Sequence, residues 1–102
     1  MAASPVICEA IRQRALLEFH YHGHLRIVAP YCYGVSTRNS DVLRAIQIRG
    51  SSSTGNVVRP FGKLWTVADI VGLKRLEETF EPDDPNYNPN DTAMKRIYCR
   101  IE

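Results

Sequence analysis

Three histidines lie at alternate positions near the start of the chain, at His20, His22 and His24. Histidine nitrogens bind zinc, and two histidines at positions i and i+2 of one strand face can share an ion. A structural zinc site needs four ligands, however, and no Asp, Glu or Cys pair lies at a complementary spacing. We therefore predict neither a metal nor another cofactor, and interpret the histidines as the polar side of a half-exposed strand.

Basic side chains on separate segments are the second candidate for chemistry. A guanidinium group holds phosphate or carboxylate oxygens through two parallel hydrogen bonds. If neighbouring strands bring these side chains to one concave surface, they form an anion site; otherwise they are solvated groups with ordinary ion pairs to glutamates. The predicted ligand-binding residues are Arg26, Tyr31, Arg44, Gln47, Arg49 and Lys63.

Arg44 is the most distinctive of these, because it shares a predicted strand face with Val42, Ile46 and Ile48. A charge among apolar neighbours either extends to the rim of the apolar face or is paired in a pocket. Aromatic side chains could also stack on nucleic-acid bases, although in a short chain they can equally form the core. The aromatic candidates are Tyr31, Tyr33, Phe61 and Trp65.

Catalytic patterns are weak. The serines at 51–53 lack a GxSxG motif, and the stretch GSSSTG lacks the lysine of a phosphate-binding loop. Asp83 and Asp84 are flanked by prolines, and Cys32 stands between two tyrosines, which favours packing over nucleophilic chemistry. We therefore predict that the protein is not an enzyme.

Local signals indicate the elements that position these residues. Ser4 and Pro5 are typical of a helix start and predict a helix over 5–14. Apolar and polar residues then alternate, which predicts a hairpin over 16–34 with its turn at Gly23–His24. Pro30 interrupts the second strand, because proline cannot donate to a strand ladder.

The remaining segments continue the strand pattern. A strand is predicted over 41–50, a loop over 51–56, and further strands from Lys63 to Phe80. A connector and a C-terminal strand occupy 81–102, with Asp91 and Thr92 capping one helical turn. One helix and about five or six short strands predict a bent antiparallel sheet or partly open barrel, in a single domain over 1–102.

Composition restricts the class of protein. A chain of 102 residues with a net charge of +2 has room for one domain and has no strong overall field for nucleic acid. Three cysteines, far apart and odd in number, predict reduced thiols in a cytoplasmic protein. No window approaches the roughly 18 apolar residues of a membrane span, and no signal peptide is visible, so we predict no membrane partner.

Several segments resemble the WYL domain family. They are AIRQRALLEFHYHGHLRIVAPYCYGV, DVLRAIQIRG, and KLWTVADIVGL ending in Phe80, and the likeness covers about residues 7 to 80. The arginine of the family pattern "R.v.PY" corresponds to Arg26. Asp41-Val42-Leu43 keeps only the leucine of the family's Trp-Tyr-Leu, and Lys63 replaces an arginine.

The resemblance implies a small, divergent, stand-alone member with an SH3-like, mainly β barrel. It also implies a regulatory or phage-defence role in bacteria and a nucleotide or single-stranded nucleic acid as ligand. About fifteen residues precede the first predicted strand, too few for a helix-turn-helix, so regulation is expected to act through a partner or the ligand itself. The alternative is a protein–protein interaction module, and exposed sheet edges make a homo-oligomer the expected state.

Overall fold

The computed structural model of the protein describes residues 5–50, 63–82 and 90–101, apart from the side chains of residues 49, 50 and 63. The predicted loop 51–56, Phe61 and the Asp83-Asp84 pair therefore lie outside the described residues. No helix in the described ranges is long and apolar enough to cross a membrane.

A single short helix opens the described chain. Helix α1 spans Pro5–Gln13 and ends at Arg14, which has a left-handed φ of 55°. Its buried face carries Ile7, Cys8, Ala10 and Ile11. This matches the predicted helix to within one residue, because the proline start and the apolar spacing act locally.

Six strands follow in the described residues, and every pairing between them is antiparallel. They are β1 (Ala15–Tyr21), β2 (His24–Ser36), β3 (Asp41–Gly50), β4 (Lys63–Thr66), β5 (Ile70–Thr79) and β6 (Met94–Arg100). The order in the sheet is β4-β3-β2-β1-β5, and β6 pairs with β2. A 3-10 turn, Val67–Asp69, joins β4 to β5.

The β1–β2 turn lies one residue earlier than predicted. Tyr21 pairs with His24, so His22 and Gly23 form the turn, with φ values of 50° and 81°. Positive φ at both positions is typical of a tight type I′ hairpin turn, whose twist matches that of the strands. His22 therefore belongs to the turn and not to the strand face.

The sheet rolls into a partly open barrel. β4 and β5 are the two ends of the strand path, yet only the three residues Val67–Asp69 connect them. A connection this short requires the ends to approach each other. No hydrogen-bonded pairing of β4 with β5 is present in the described chain, so the barrel stays open there. The predicted mainly β fold with one N-terminal helix is confirmed.

Strand β2 organises the barrel because it pairs with three strands. One edge pairs with β3, and the other pairs first with β1, up to Val28, and then with β6, from Cys32. Pro30 lies between these two stretches and at an irregularity in the β3 register, where a missing N–H is tolerated. The proline therefore marks the change of partner along a continuous strand.

Two apolar clusters lie on opposite faces of this sheet. The main core includes Trp65, Tyr31, Tyr33 and Phe19, all nearly inaccessible to solvent. The smaller cluster, called the outer cluster below, contains Cys32, Val42 and Met94, with Leu64 and Ile97 packed against it. Because neighbouring side chains on a strand point to opposite faces, Cys32 lies outside the barrel while Tyr31 and Tyr33 lie inside.

Cys8 of α1 and Cys99 of β6 form a disulfide bond, with their Cα atoms 5.7 Å apart. The prediction of three reduced thiols is therefore wrong for two of the three. The 91-residue separation gave no local signal of the pair, because only the packing of α1 against β6 brings the two cysteines together. Cys32 is free and buried.

Gly34 provides a test of the three-strand packing around β2. A Cβ atom there would overlap the carbonyl oxygen of Arg96 and lie 3.0 Å from the Cα of Ile97, so Gly34→Ala must push β6 away from β2. We expect a loss of roughly 2–3 kcal/mol in the free energy of unfolding, measured by urea denaturation. Gly23→Ala is the control, because it has open space and only an unfavourable φ, which costs about 1 kcal/mol. Equal losses for both variants would contradict the close approach.

Candidate functional site

Arg26 lies near the start of β2 and points into the barrel. It pairs with Phe19 of β1 on one side and Gly50 of β3 on the other. It shares its strand face with Val28, two positions along, which is fully buried. Only 4% of Arg26 is exposed, so strand alternation has placed a cation at an interior position.

The guanidinium group of Arg26 is only partly satisfied. Nη1 donates a hydrogen bond to Oε1 of Gln47 at 3.1 Å, and Nη2 donates to the carbonyl oxygen of Tyr21 at 3.3 Å. The guanidinium carbon lies 5.5 Å from the ring centre of Trp65 and 5.9 Å from that of Tyr21, within cation–π range. Nε is buried and has no hydrogen-bond partner in the part of the chain that the structure describes.

The charge of Arg26 lacks a counter-charge within the described residues, where no carboxylate forms an ion pair with it. Burial lowers the pKa of Arg26 from its ordinary value, but arginine stays protonated. An unsatisfied buried donor costs about 1–3 kcal/mol, and a buried charge without a partner costs more. An anion at this position would remove both costs.

Arg44 has a different environment on the opposite face of the sheet. It pairs with Cys32, beside the outer apolar cluster. Its Nε and Nη2 donate to the two carboxylate oxygens of Asp91 at 2.7 and 3.1 Å, which forms a two-bond ion pair. Burial alone would raise the pKa of Asp91, but the hydrogen bonds from Arg44 and from the backbone of Ala93 outweigh it and hold that pKa below its ordinary value.

The predicted convergence of Arg26 with Arg44 is therefore wrong. Gln47, which contacts Arg26, is three positions from Arg44, and an odd spacing on a strand places two side chains on opposite faces. Arg44 is paired in a pocket, one of the two outcomes expected for a charge among apolar residues. The ion pair fixes the segment before β6 over the outer cluster.

The other predicted site residues divide into three groups. Gln47 is buried and contacts Arg26, so these two are brought together. Tyr31 is 2% exposed and packs against Phe80 with ring centres 5.4 Å apart, as a core residue. Arg49 and Lys63 pair through their backbones with Ile27 and Ala45, and their side chains lie outside what the structure describes.

The aromatic candidates for base stacking are mostly enclosed. Trp65 contacts Phe19 and Tyr21 edge-on, and its Nε1 donates to the carbonyl oxygen of Ala45 at 3.2 Å. Tyr33 packs against Tyr98. Trp65 and Tyr33 are each no more than 1% exposed, so neither presents a ring face to a ligand.

The histidines lie at the surface. His22 stacks on Tyr21 with ring centres 4.2 Å apart, and its Nε2 lies 3.4 Å from a carboxylate oxygen of Asp69. His20 is exposed and His24 is half-buried. In the ranges that the structure describes, no group of three or more potential metal ligands is found.

Cys32 is poorly suited to nucleophilic chemistry. Burial raises its pKa to about 11, so the thiol is protonated at neutral pH. Its Sγ lies 3.6 Å from Sδ of Met94, as a donor within the outer cluster. The geometry assigns this residue to packing.

Sequence reasoning missed two features. The first is the aromatic enclosure of Arg26 by Tyr21 and Trp65, for which the alternation of Tyr21 with buried Phe19 was an available signal. The second is a cleft of about 440 Å³ beside the β2–β3 turn. Its lining residues are Ser36, Thr37, Arg38, Ser40, Val42, Leu64, Thr66 and Ala93.

Comparison of the chain with protein-family models, with curated proteins and with solved structures found no match. The site is therefore interpreted from its own geometry.

The two arginines give a matched test of the site. Arg26→Met removes a buried charge that has no ionic partner within the described ranges, so we expect the free energy of unfolding to stay level or rise by about 1 kcal/mol. Arg44→Met leaves the Asp91 carboxylate without its partner and should cost about 3 kcal/mol. Urea denaturation of both variants measures the difference. If Arg26→Met destabilises the protein as much as Arg44→Met, Arg26 has a structural role.

Proposed function

We propose that the protein is a non-enzymatic binding module that recognises the phosphate of a nucleotide or of single-stranded nucleic acid. The observation that carries the proposal is the buried guanidinium of Arg26, which has an unsatisfied Nε and no ionic partner among the described residues. Proteins retain such costly arrangements chiefly at functional sites. A ligand oxyanion provides the missing charge.

Arg44 illustrates the expected binding mode. Its Nε and Nη2 together hold one carboxylate, along the edge of the guanidinium that both nitrogens share. On Arg26 the same edge has, counting the described residues alone, an Nε without a partner and an Nη2 with a single 3.3 Å bond. Two phosphate oxygens placed along this edge satisfy both donors, which is the common geometry of arginine–phosphate recognition.

Recognition is expected to depend on the phosphate more than on the base. Trp65, Tyr31 and Tyr33 are enclosed in the core, which leaves no stacking face on these rings. A single buried cation is best matched by a singly charged group, because an excess charge in a low-dielectric site is costly. Phosphodiesters carry one negative charge and are therefore preferred within this proposal.

The resemblance to the WYL domain family supports the same choice of ligand, since Arg26 stands at the arginine of the family's "R.v.PY" pattern. From that resemblance we propose membership of the family, a regulatory or phage-defence role and a cytoplasmic location. The SH3-like description of the barrel also belongs to this proposal.

A binding titration tests the proposal. We expect a 3′,5′-cyclic mononucleotide or a labelled single-stranded oligonucleotide to bind the wild type, and Arg26→Met to abolish binding in calorimetry or fluorescence anisotropy. Arg38→Met is the control, since Arg38 is an exposed arginine of the β2–β3 turn, and it should bind normally. One phosphate contact predicts a salt slope of about −0.7 for the single strand.

Two other results are informative. Undiminished binding by Arg26→Met, or no binding of either probe to the wild type, would overturn the proposal. A slope near −2 would indicate about three phosphate contacts, at about −0.7 for each, and loss of one contact in Arg49→Met or Lys63→Met would assign it to that residue.

Self-association is a second candidate function, favoured by an exposed apolar pair beside a sheet edge. His20 pairs with Leu25 on β2 and with Val71 on β5, so the three side chains form one row. Leu25 is 37% exposed and Val71 is 66% exposed. β5 ends the strand path, and apolar residues on an edge strand promote pairing between molecules.

The mass in solution tests this second function. We expect light scattering after gel filtration to give a dimer or larger species for the wild type and a monomer for Val71→Lys, because that substitution places a charge within the exposed apolar pair of Leu25 and Val71. Thr79→Lys, also exposed and at the far end of β5, is the control and should not change the mass. A monomeric wild type at high concentration would exclude self-association.

A further inference from the structure

Helix α1 lies where the barrel lacks strand pairing. β1 and β6 occupy successive stretches of the same edge of β2, and within the described chain β6 pairs with no strand except β2. The helix contacts all of the strands around this position, namely β1, β2, β5 and β6. It therefore closes the side of the barrel that hydrogen-bonded strands leave open.

Two attachments hold α1 across this opening. The Cys8–Cys99 disulfide joins it covalently to β6. On the other side, Arg75 of β5 donates a hydrogen bond to Gln13 at 2.8 Å and lies 3.7 Å from the carboxylate of Glu9. These polar contacts are exposed, and exposed ion pairs contribute little to stability, so the disulfide is the dominant restraint.

The helix depends on docking for its own stability. It has nine residues, and isolated helices shorter than about 12 residues are marginal in water. Its apolar face, with Ile7, Ala10 and Ile11 at most 1% exposed, is stable only against the barrel. Cys8 is buried but Cys99 is partly exposed, so we expect a reductant to reach the disulfide from the β6 side.

We propose that the Cys8–Cys99 disulfide is a redox latch that controls whether α1 stays docked on the barrel. A dithiol reductant opens it by thiol–disulfide exchange. One thiolate of the reductant attacks Sγ of Cys99, and Cys8 leaves as a thiolate that takes up a proton. The second thiol of the reductant then displaces Cys99, giving two protein thiols and one oxidised reductant for a transfer of two electrons.

Cys32 takes no part in this exchange. Tyr33 pairs with Cys99 and Cys32 pairs with Arg100, so consecutive positions place the sulfurs of Cys32 and Cys99 on opposite faces of the sheet. The high pKa of Cys32 also keeps its thiol protonated. The latch therefore has two states, a closed disulfide and an open dithiol, with the open state favoured in a reducing compartment.

Hydrogen–deuterium exchange on the full chain, with and without dithiothreitol, tests the latch. Alkylation in denaturant, which exposes the buried Cys32, should count one thiol before reduction and three after it. On reduction, we expect the amides of α1 to exchange at least about tenfold faster while those of β1, β2 and β3 keep their protection, since local opening is separate from global unfolding. Cys32→Ser should retain this response.

A Cys8→Ser/Cys99→Ser double variant should show fast α1 exchange without reductant and no further response to it. If it fails to fold, the reduced wild type provides the same comparison. Unchanged α1 exchange in the reduced protein would overturn the latch. An equal loss of protection in α1 and throughout the sheet would also overturn it, because the disulfide would then stabilise the fold as a whole and would not control the docking of α1.

Discussion

A positive charge that is held inside a small apolar barrel, with no negative partner among the described residues, is the constraint on which this structure depends. Arg26 occupies an interior position of β2 because strand alternation places it on the same face as fully buried Val28. The barrel offsets only part of the cost of burying this charge. Gln47 Oε1 and the carbonyl oxygen of Tyr21 accept hydrogen bonds from the guanidinium, and the rings of Tyr21 and Trp65 lie within cation–π range. Among the described residues, the Nε of Arg26 is left without a hydrogen-bond partner.

Arg44 shows within the same molecule how a guanidinium is satisfied when its role is structural. Its two hydrogen bonds to Asp91 fix the segment before β6 against Cys32, Val42 and Met94. Both arginines lie on central strands, yet one has a full ionic partner and the other has none in the described chain. This difference, more than the overall charge of +2, is why we propose a binding role for Arg26 and a structural one for Arg44.

Much of the fold could be predicted from the sequence, because its signals are local. The helix start at Pro5, the alternation through β1 and the break at Pro30 each report on a few neighbouring residues. The β1–β2 turn was displaced by one residue because His22 adopts a positive φ, a conformation that its residue type only weakly favours. Two long-range pairs could not be predicted, because no local pattern reports on them. They are Arg44 with Asp91, 47 residues apart, and Cys8 with Cys99, 91 residues apart.

The separation of Arg44 from Gln47 could have been predicted. Their odd spacing on one strand places the two side chains on opposite faces of the sheet, and this already excluded a joint site.

We propose that a ligand phosphate engages the Nε–H of Arg26, which has no acceptor among the described residues. Its nitrogen and proton can be observed directly in a ¹⁵N-resolved NMR spectrum of the arginine side chains, assigned with Arg26→Met. On titration with a 3′,5′-cyclic mononucleotide, the account predicts a shift of the Arg26 Nε–H signal to saturation while the Arg44 signal stays fixed. A stationary Arg26 signal at saturating ligand would contradict it.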